Sequence, residues 1–332
     1  MRFSIRLTLS LFTHILKNKI AGNGRFPLVL MLEPTHLCNL RCEGCGRIRE
    51  YSANQKDSMP LEDCLAAVEV TGAPVVSICG GEPLLYPQIG ELVQEALKRG
   101  RHIILCTNGM NLEDNLPKFR PHPYFNLSVS LDGLARFHDS SRGRQGVYEL
   151  AIKAIKSAKE EGFKVITNTT IYKETDVREI EALFEGLDAL NVDGLLVTPA
   201  YPYQPGGEGI FLDRKEIHKK FEYIIMLSGR YRLLSTPPYL RFLKGDLDLR
   251  CTPWGNVTIN PQGWKGPCYF ITEAHYKSFG ELMEQTDWEK YEARKDPRCQ
   301  NCMVHSGFEP TVIRELGDSC SGLWEMIKWN FS

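Results

Sequence analysis

The chain has 332 residues, 42% of them hydrophobic, and carries 40 Lys+Arg against 41 Asp+Glu for a formal net charge of −1. This length supports one large core with an appendage, or two medium domains, while the balanced charge lacks the basic bias of a dedicated nucleic-acid binder, so no nucleic-acid partner is expected. No run of about 18 apolar residues offers a membrane span, and an odd count of 11 cysteines with no cleavable secretory pattern points to a reducing, cytoplasmic compartment rather than a disulfide framework.

In chain order, residues 1–20 come first. Phe3, Leu7, Leu11 and Ile15 recur at helical spacing, Ile5, Leu9, Phe12 and Leu16 widen the stripe, and Arg2, Arg6, Lys17 and Lys19 add cations. An amphipathic helix of this kind suits either the protein's own core or an anionic membrane surface. Peripheral contact at the inner membrane face is therefore expected as an alternative to a purely cytoplasmic location. Residues 1–25 are taken as this N-terminal segment, 26–230 as the main domain and 231–332 as a separate C-terminal lobe.

From Phe26 to Pro199 short β-rich runs alternate with helical patterns. Strands are predicted at Leu28–Leu32, Val75–Cys79, His102–Cys106, Phe125–Leu131, Lys164–Ile171 and Gly194–Val197. Apolar strands separated by helices read as a parallel sheet covered by helices. The expected fold class is α/β, a partial (β/α)6 TIM-like barrel with a small C-terminal cysteine-bearing lobe. Tyr201-Pro-Tyr-Gln-Pro-Gly-Gly-Glu-Gly209 reads as a loop, and a helix is expected near Asp213–Ser228.

The first strand runs into Cys38, Cys42 and Cys45, a CxxxCxxC spacing. Iron–sulfur clusters normally take four cysteines, so three thiolates would leave one iron to a small molecule. A zinc site with His36 as the fourth ligand is the competing reading. Polar motifs sit within or just after the later strands: Gly80-Gly81-Glu82-Pro83, Thr107-Asn108-Gly109, Ser128 and Ser130 before Asp132, and Asn168. The C-terminal edge of a parallel sheet is where α/β proteins build their sites. The paired glycines allow close backbone approach to a ligand and Glu82 offers acceptors for an ammonium group. Ser128 and Ser130 share one strand face, suited to a ribose or carboxylate. Asn108 reads as a turn former more often than as a ligand, and Asn168, within a predicted strand, has the better case as a ligand. The C-terminal lobe holds Cys251, Cys268, Cys299 and Cys302, enough for a zinc site or an iron–sulfur cluster, and Trp254, Trp264, Tyr269 and Phe270 could wall an apolar substrate.

CxxxCxxC after a first strand, GGEP after a second, TNG after a third and SxSLDG at a fourth together resemble the radical S-adenosylmethionine (radical SAM) superfamily. The resemblance implies that Cys38, Cys42 and Cys45 hold a [4Fe–4S] cluster whose open iron binds S-adenosylmethionine, with Gly80, Gly81, Glu82, Asn108, Ser128, Ser130 and Asn168 contributing to the cofactor site. It also implies a ferredoxin or flavodoxin reductant. One departure is Gly44, where many members carry an aromatic residue. Leu32-Glu-Pro34, Cys42-Glu-Gly-Cys45, Gly72–Ile78, Leu105–Asn108, Thr198–Tyr201, Cys251–Trp254, Pro267–Tyr269 and Asp296–His305 resemble the hopanoid branch, the adenosylhopane synthases. That likeness implies addition of the 5′-deoxyadenosyl radical to the alkene of diploptene, a polycyclic triterpene. Here His305-Ser306-Gly-Phe-Glu309 departs from the expected pattern by lacking a cysteine at Ser306. Cys106, at the end of the third strand, is the candidate catalytic hydrogen-atom donor. Rival readings are a peptide- or other small-molecule-modifying radical enzyme acting by hydrogen abstraction, and a non-catalytic iron–sulfur electron carrier.

Overall fold

The computed structural model describes residues 2–201, 209–315 and 320–331. Most of the predicted Pro/Gly-rich loop, residues 202–208, lies outside them.

Strands β1 (Val29–Leu32), β2 (Val75–Ile78), β3 (His102–Thr107), β4 (Phe125–Ser130), β5 (Lys164–Ile171) and β6 (Gly194–Pro199) pair in parallel in chain order. These are the six predicted strands. α1 (Ile5–Ile20) precedes them, and the crossovers carry α2 (Gly46–Glu50), α3 (Leu61–Thr71), α4 (Ile89–Lys98), α5 (Leu112–Asn115), α6 (Ala135–Arg142), α7 (Val147–Glu160) and α8 (Val177–Ala189). Period-two alternation sorts each strand into two faces. Leu30, Leu32, Val76, Ile78, Ile103, Leu105, Leu127 and Val129 are buried in the core shared with the outer helices. The opposite face, including Met31, Ser77, Ile104, Ser128 and Ile166, lines an internal cavity of about 720 Å³. The packed layers that fill a closed TIM barrel are here replaced by a chamber.

The segment after residue 230, expected as a lobe of its own, joins the same sheet. β7 (Asn256–Asn260) pairs in parallel with β1, and β8 (Gly263–Pro267) and β9 (Thr272–Tyr276) follow antiparallel, giving the order β6-β5-β4-β3-β2-β1-β7-β8-β9. α9 (Arg214–Met226) matches the predicted helix. Then come α10 (Pro237–Lys244), α11 (Phe279–Gln285), α12 (Trp288–Glu292), α13 (His305–Glu315) and α14 (Cys320–Phe331).

α1 crosses the N-terminal ends of the strands. Its His14 Nε2 bonds the Pro27 carbonyl at 2.9 Å, Arg6 donates to Tyr124 Oη at 3.0 Å, and Arg2 Nε donates to the Leu233 carbonyl. The broad apolar stripe is divided between two faces: Phe3, Leu7 and Leu11 line the chamber, while Ile5, Leu9, Phe12, Leu16 and Ile20 are exposed. No described helix is long and apolar enough to cross a membrane.

Candidate functional site

The cysteine loop leaves the end of β1 and passes over the C-terminal mouth of the chamber. Cys38, Cys42 and Cys45 line that mouth together with Gly80, Gly81, Glu82, Cys106, Asn108, Ser128, Ser130 and Asn168. Every residue predicted for this site therefore faces one space, although several serve the protein's own framework there.

Gly80 and Gly81 draw the loop after β2 against the cysteine loop. Gly81 N–H donates to the Thr35 carbonyl at 3.0 Å and Glu82 N–H to the Leu37 carbonyl at 2.7 Å. A Cβ on Gly81 would run into the His36 and Leu37 carbonyls, and Gly80 has φ +111°, a conformation that glycine adopts without strain. The close approach is thus to the chain's own backbone. Glu82 is equally committed: its carboxylate accepts from Thr107 Oγ1 at 2.7 Å, Asn108 N–H at 2.8 Å and Leu84 N–H at 3.2 Å. Burial pushes its carboxyl up to about 7. Asn108 donates to Asn39 Oδ1 at 2.7 Å, and Asn39 in turn to Asn111, which ties the turn after β3 to the cysteine loop.

The strands contribute differently. Asn168 Oδ1 is buried and lacks a hydrogen-bond partner, a group left to be satisfied by whatever the chamber holds. Ser128 stands beside Cys106 across the β3–β4 register, and the Cys106 thiol lies 3.5 Å from Ser77 Oγ. Burial raises the Cys106 thiol, while Ser77 and Ser128 act to lower it.

Three thiols on one loop, an unpartnered carboxamide oxygen beyond them and an open chamber between fit a group with three protein ligands and a bound small molecule. Burial raises the free Cys38 thiol to about 12 and raises Cys42 as well, so binding such a group would release protons. His36, the possible fourth zinc ligand, lines the same chamber but has its ring engaged by other partners. Its ring stacks on Tyr51 with centroids 4.0 Å apart and hydrogen-bonds to Gln262, and burial lowers it to about 4. Among the described residues no group of three or more His, Cys, Asp or Glu side chains is placed to hold a single metal ion.

Several supporting residues carry no motif of their own. Arg142, at the end of α6, donates to Asp132 Oδ2 at 2.7 Å and to Cys42 Sγ at 3.7 Å. Burial opposes its charge, but Asp132 and Cys42 outweigh burial and hold the guanidinium charged. Glu33, at the end of β1, is fully buried and paired with Arg47 at the start of α2; Arg47 also lies over the Tyr269 ring, 4.3 Å from its centroid. On α13, His305 and Glu309 line the chamber. Glu309 accepts from Thr236 N–H at 2.9 Å and Oγ1 at 2.7 Å, and burial raises it to about 7. Of the four aromatic residues predicted to wall a substrate, Tyr269 and Phe270 line the chamber. Trp254 and Trp264 do not: the first donates to Glu292 and the second packs on Phe279, both in the core around β7 and β8.

Cys251, Cys268, Cys299 and Cys302 face a second, smaller cavity of about 40 Å³, which Ser306 also lines. Burial raises the Cys251 thiol, and the other three thiols add to that shift. A Cβ on Gly307 would lie 2.9 Å from Cys251 Sγ, so glycine beside Ser306 leaves room for that sulfur.

Comparison with known proteins divides the chain in two. Residues 32–187 match the model of the radical SAM superfamily, and residues 195–326 match a domain of unknown function, DUF3463. The Fe-coproporphyrin III synthase of Methanosarcina barkeri is 31% identical over 48% of this chain and 41% of its own length. The antilisterial bacteriocin subtilosin biosynthesis protein AlbA of Bacillus subtilis is 24% identical over 75% of this chain and 56% of its own. The chain thus spans about half the length of these curated relatives. Among solved structures, Streptococcus suis SuiB bound to S-adenosylmethionine superposes with a TM-score of 0.66 at 19% identity, covering 92% of this chain and 78% of that one. At such identity the likeness concerns the fold.

Proposed function

We infer that this chain, a member of the radical SAM superfamily through residues 32–187, adds the 5′-deoxyadenosyl radical to the alkene of a polycyclic triterpene, diploptene, to give adenosylhopane. The observation that carries this reading is the chamber. It is largely hydrocarbon-lined along Leu28, Met31, Ile104, Ile166 and Leu234, and it ends beside a half-buried thiol, Cys106, which desolvation favours in its protonated form, below the cysteine loop. When bound at Cys38, Cys42 and Cys45, a [4Fe–4S] cluster supplies one low-potential electron for cleaving a sulfonium, with a ferredoxin or flavodoxin as its source. The unpartnered Asn168 Oδ1 and the chamber-lining Ser128 and Ser130 support the reading that these residues bind polar groups of the methionine or ribose moiety.

The chain's own contribution to the carbon chemistry comes afterwards. One π electron of the alkene pairs with the unpaired electron of the adding carbon in the new C–C bond, and the other stays behind as a tertiary carbon radical. Cys106 S–H then delivers a hydrogen atom, because an S–H bond is weaker than the tertiary C–H bond it makes. The thiyl radical left on Cys106 needs one electron and one proton from the reductant and solvent. A thiol held protonated by burial suits this role, whereas a thiolate has no hydrogen atom to give. Anaerobic incubation with S-adenosylmethionine, dithionite and diploptene tests the reading by mass spectrometry. Substrate plus one 5′-deoxyadenosyl group and one hydrogen, together the mass of one 5′-deoxyadenosine, is the expected product; free 5′-deoxyadenosine without adduct from any triterpene overturns the substrate assignment.

A second reading is hydrogen abstraction from a peptide or a tetrapyrrole. It is supported by relatives named for bacteriocin and coproporphyrin chemistry and by the four-cysteine set around the smaller cavity. We read that set as the ligands of an auxiliary iron–sulfur cluster, with zinc as the alternative. Failure of the reduced protein to cleave S-adenosylmethionine would favour an electron carrier over both.

A further inference from the structure

The chamber does not end in packed side chains at the bottom of the barrel. Its wall continues from Cys106 down through Ile104 and Ile166 to the inner face of α1, where Phe3, Leu7, Leu11, Leu28, Leu234 and Ile313 line it, interspersed with the polar His102, Lys164, Asp193 and Arg232. The strand span between these ends is about six residues, roughly 20 Å. α1 therefore separates the chamber from the outside, and it is apolar on both sides. Ile5, Leu9, Phe12, Leu16 and Ile20 recur at four- and three-residue steps on the outer face; Phe12 is 60% and Ile20 79% exposed. Close by, α14 is tied to the start of the chain through Arg2 N–H to the Asn330 carbonyl and Phe3 against Trp329. It exposes Trp324, Ile327 and Phe331.

A helix that buries one apolar face and exposes another is poorly suited to water alone. The charges indicate what covers it. α1 carries Arg6, Lys17 and Lys19 and no acidic residue, the pattern of a helix lying in an anionic lipid surface; on α14 the one acidic residue among its described side chains, Glu325, is paired with Arg241, and Phe12 and Trp324 are residue types that interfacial helices turn toward the acyl boundary.

We propose that the outer face of α1, with the exposed side chains of α14, docks this protein on an anionic bilayer, and that the lipid substrate enters the chamber from that side, past Phe3, Leu7 and Leu11. The docking stands on the α1 surface; the entry route rests on the triterpene reading. A membrane-held polycycle would thus present its alkene toward Cys106 while its ring system fills the lower chamber.

The test uses the full chain, purified anaerobically, and flotation with phosphatidylcholine vesicles with or without phosphatidylglycerol. The protein floats with the anionic vesicles, and Leu9→Glu/Phe12→Glu lowers the bound fraction by roughly tenfold or more, since each side chain contributes about a tenfold step. Substrate-free 5′-deoxyadenosine formation by this variant stays at the wild-type rate. Its adduct yield falls with vesicle-held diploptene and is retained with detergent-dispersed diploptene. Absence of wild-type flotation, or equal flotation of the variant, overturns the docking. Equal adduct yield from vesicle-held substrate overturns the route. Flotation lost in the variant, with no adduct from any triterpene in either preparation, supports the docking and removes the triterpene reading.

Discussion

Tyr172 occupies the space over Gly44. A Cβ built on Gly44 would lie 2.6 Å from Tyr172 Oη and 2.7 Å from Cε1, so the ring at the end of β5 covers the residue before the third cysteine. The aromatic group expected from the cysteine loop itself is supplied here by a different strand.

Removing that ring should loosen the loop. Tyr172→Ala is expected to lower stability by about 3 kcal/mol and to reduce the iron retained per chain after anaerobic desalting. Gly44→Phe alone clashes with Tyr172 and lowers iron retention too. Combined, the two changes exchange the ring's point of attachment, so their effects should fall short of the sum by on the order of 1 kcal/mol. Urea midpoints and iron assays of the four proteins check this, and strict additivity would remove the packing relationship.

The Glu33–Arg47 pair fixes the chain on both sides of the cysteine loop, at the end of β1 and the start of α2. Arg47→Met strands a fully buried carboxylate and should cost about 3–5 kcal/mol. Glu33→Gln/Arg47→Met, which removes both charges of the pair and leaves the neighbouring Lys265 paired with Glu50, should recover much of that loss. Thermal denaturation of the single and double variants decides between a pinning pair and a dispensable one.

Cys106 is the position where chemistry and packing make opposite forecasts. Cys106→Ala should leave 5′-deoxyadenosine formation near the wild-type rate while adenosylated product falls at least tenfold or is diverted to another mass. Because burial raises the thiol, product yield per cleavage event should hold from pH 7 to pH 9, across the range in which an ordinary thiol near 8.5 loses its proton. An unchanged yield in the alanine variant would remove the thiol from the reaction.

His138 is fully buried, and its Nδ1 accepts from Asp132 N–H at 3.2 Å. Burial lowers it to about 3 in the fold, against roughly 6.5 in the unfolded chain. The unfolded chain binds the proton first, so the stabilisation present above pH 6.5 is lost as pH falls, by about 1.4 kcal/mol per unit down to pH 3. Glu82 and Glu309, raised to about 7, act in the opposite sense between pH 4.5 and 7. The informative quantity is therefore the difference between wild type and His138→Asn. Their stability gap should narrow from pH 7 to pH 5 in urea titrations, and a constant gap would contradict the neutral assignment.

For the second cysteine set, iron and zinc analysis gives a direct reading. Two [4Fe–4S] clusters correspond to about eight iron atoms per chain, and Cys268→Ala should lower that to about four without abolishing S-adenosylmethionine binding. About four iron atoms with one zinc in the wild type would assign the set to zinc, and about four with no zinc would leave it as thiols.

The sequence was most informative where period and position coincide. Alternation within short runs bounded by helices located all six strands, and the strand-end rule placed Cys38, Cys106, Asn108 and Asn168 at one mouth. It said less about what each residue does there. Glu82 and the two glycines look like ligand contacts in a motif, yet their partners are Thr107, Asn108 and the carbonyls of residues 35–37, contacts that only the folded loops create. Arg142 and Tyr172 were missed because their roles depend on reaching the cysteine loop from α6 and from the end of β5, a proximity that no local pattern encodes. The division of α1 into an inner and an outer apolar face was equally hidden, since both faces read as one stripe until a surface covers one of them.

β1 hydrogen-bonds to β2 on one side and to β7 on the other, so the strand that feeds the cysteine loop is sandwiched between segments separated by just over half of the chain. A fragment cut at the boundary between the two matched regions would leave β1 with a bare backbone edge, a surface prone to pairing with other chains. The two halves accordingly share one sheet. Exchanging the C-terminal half with that of another protein would alter the strand beneath the cysteines as well as the substrate chamber, so chimeras meant to change specificity should preserve Asn256–Asn260 and its register with Val29–Leu32.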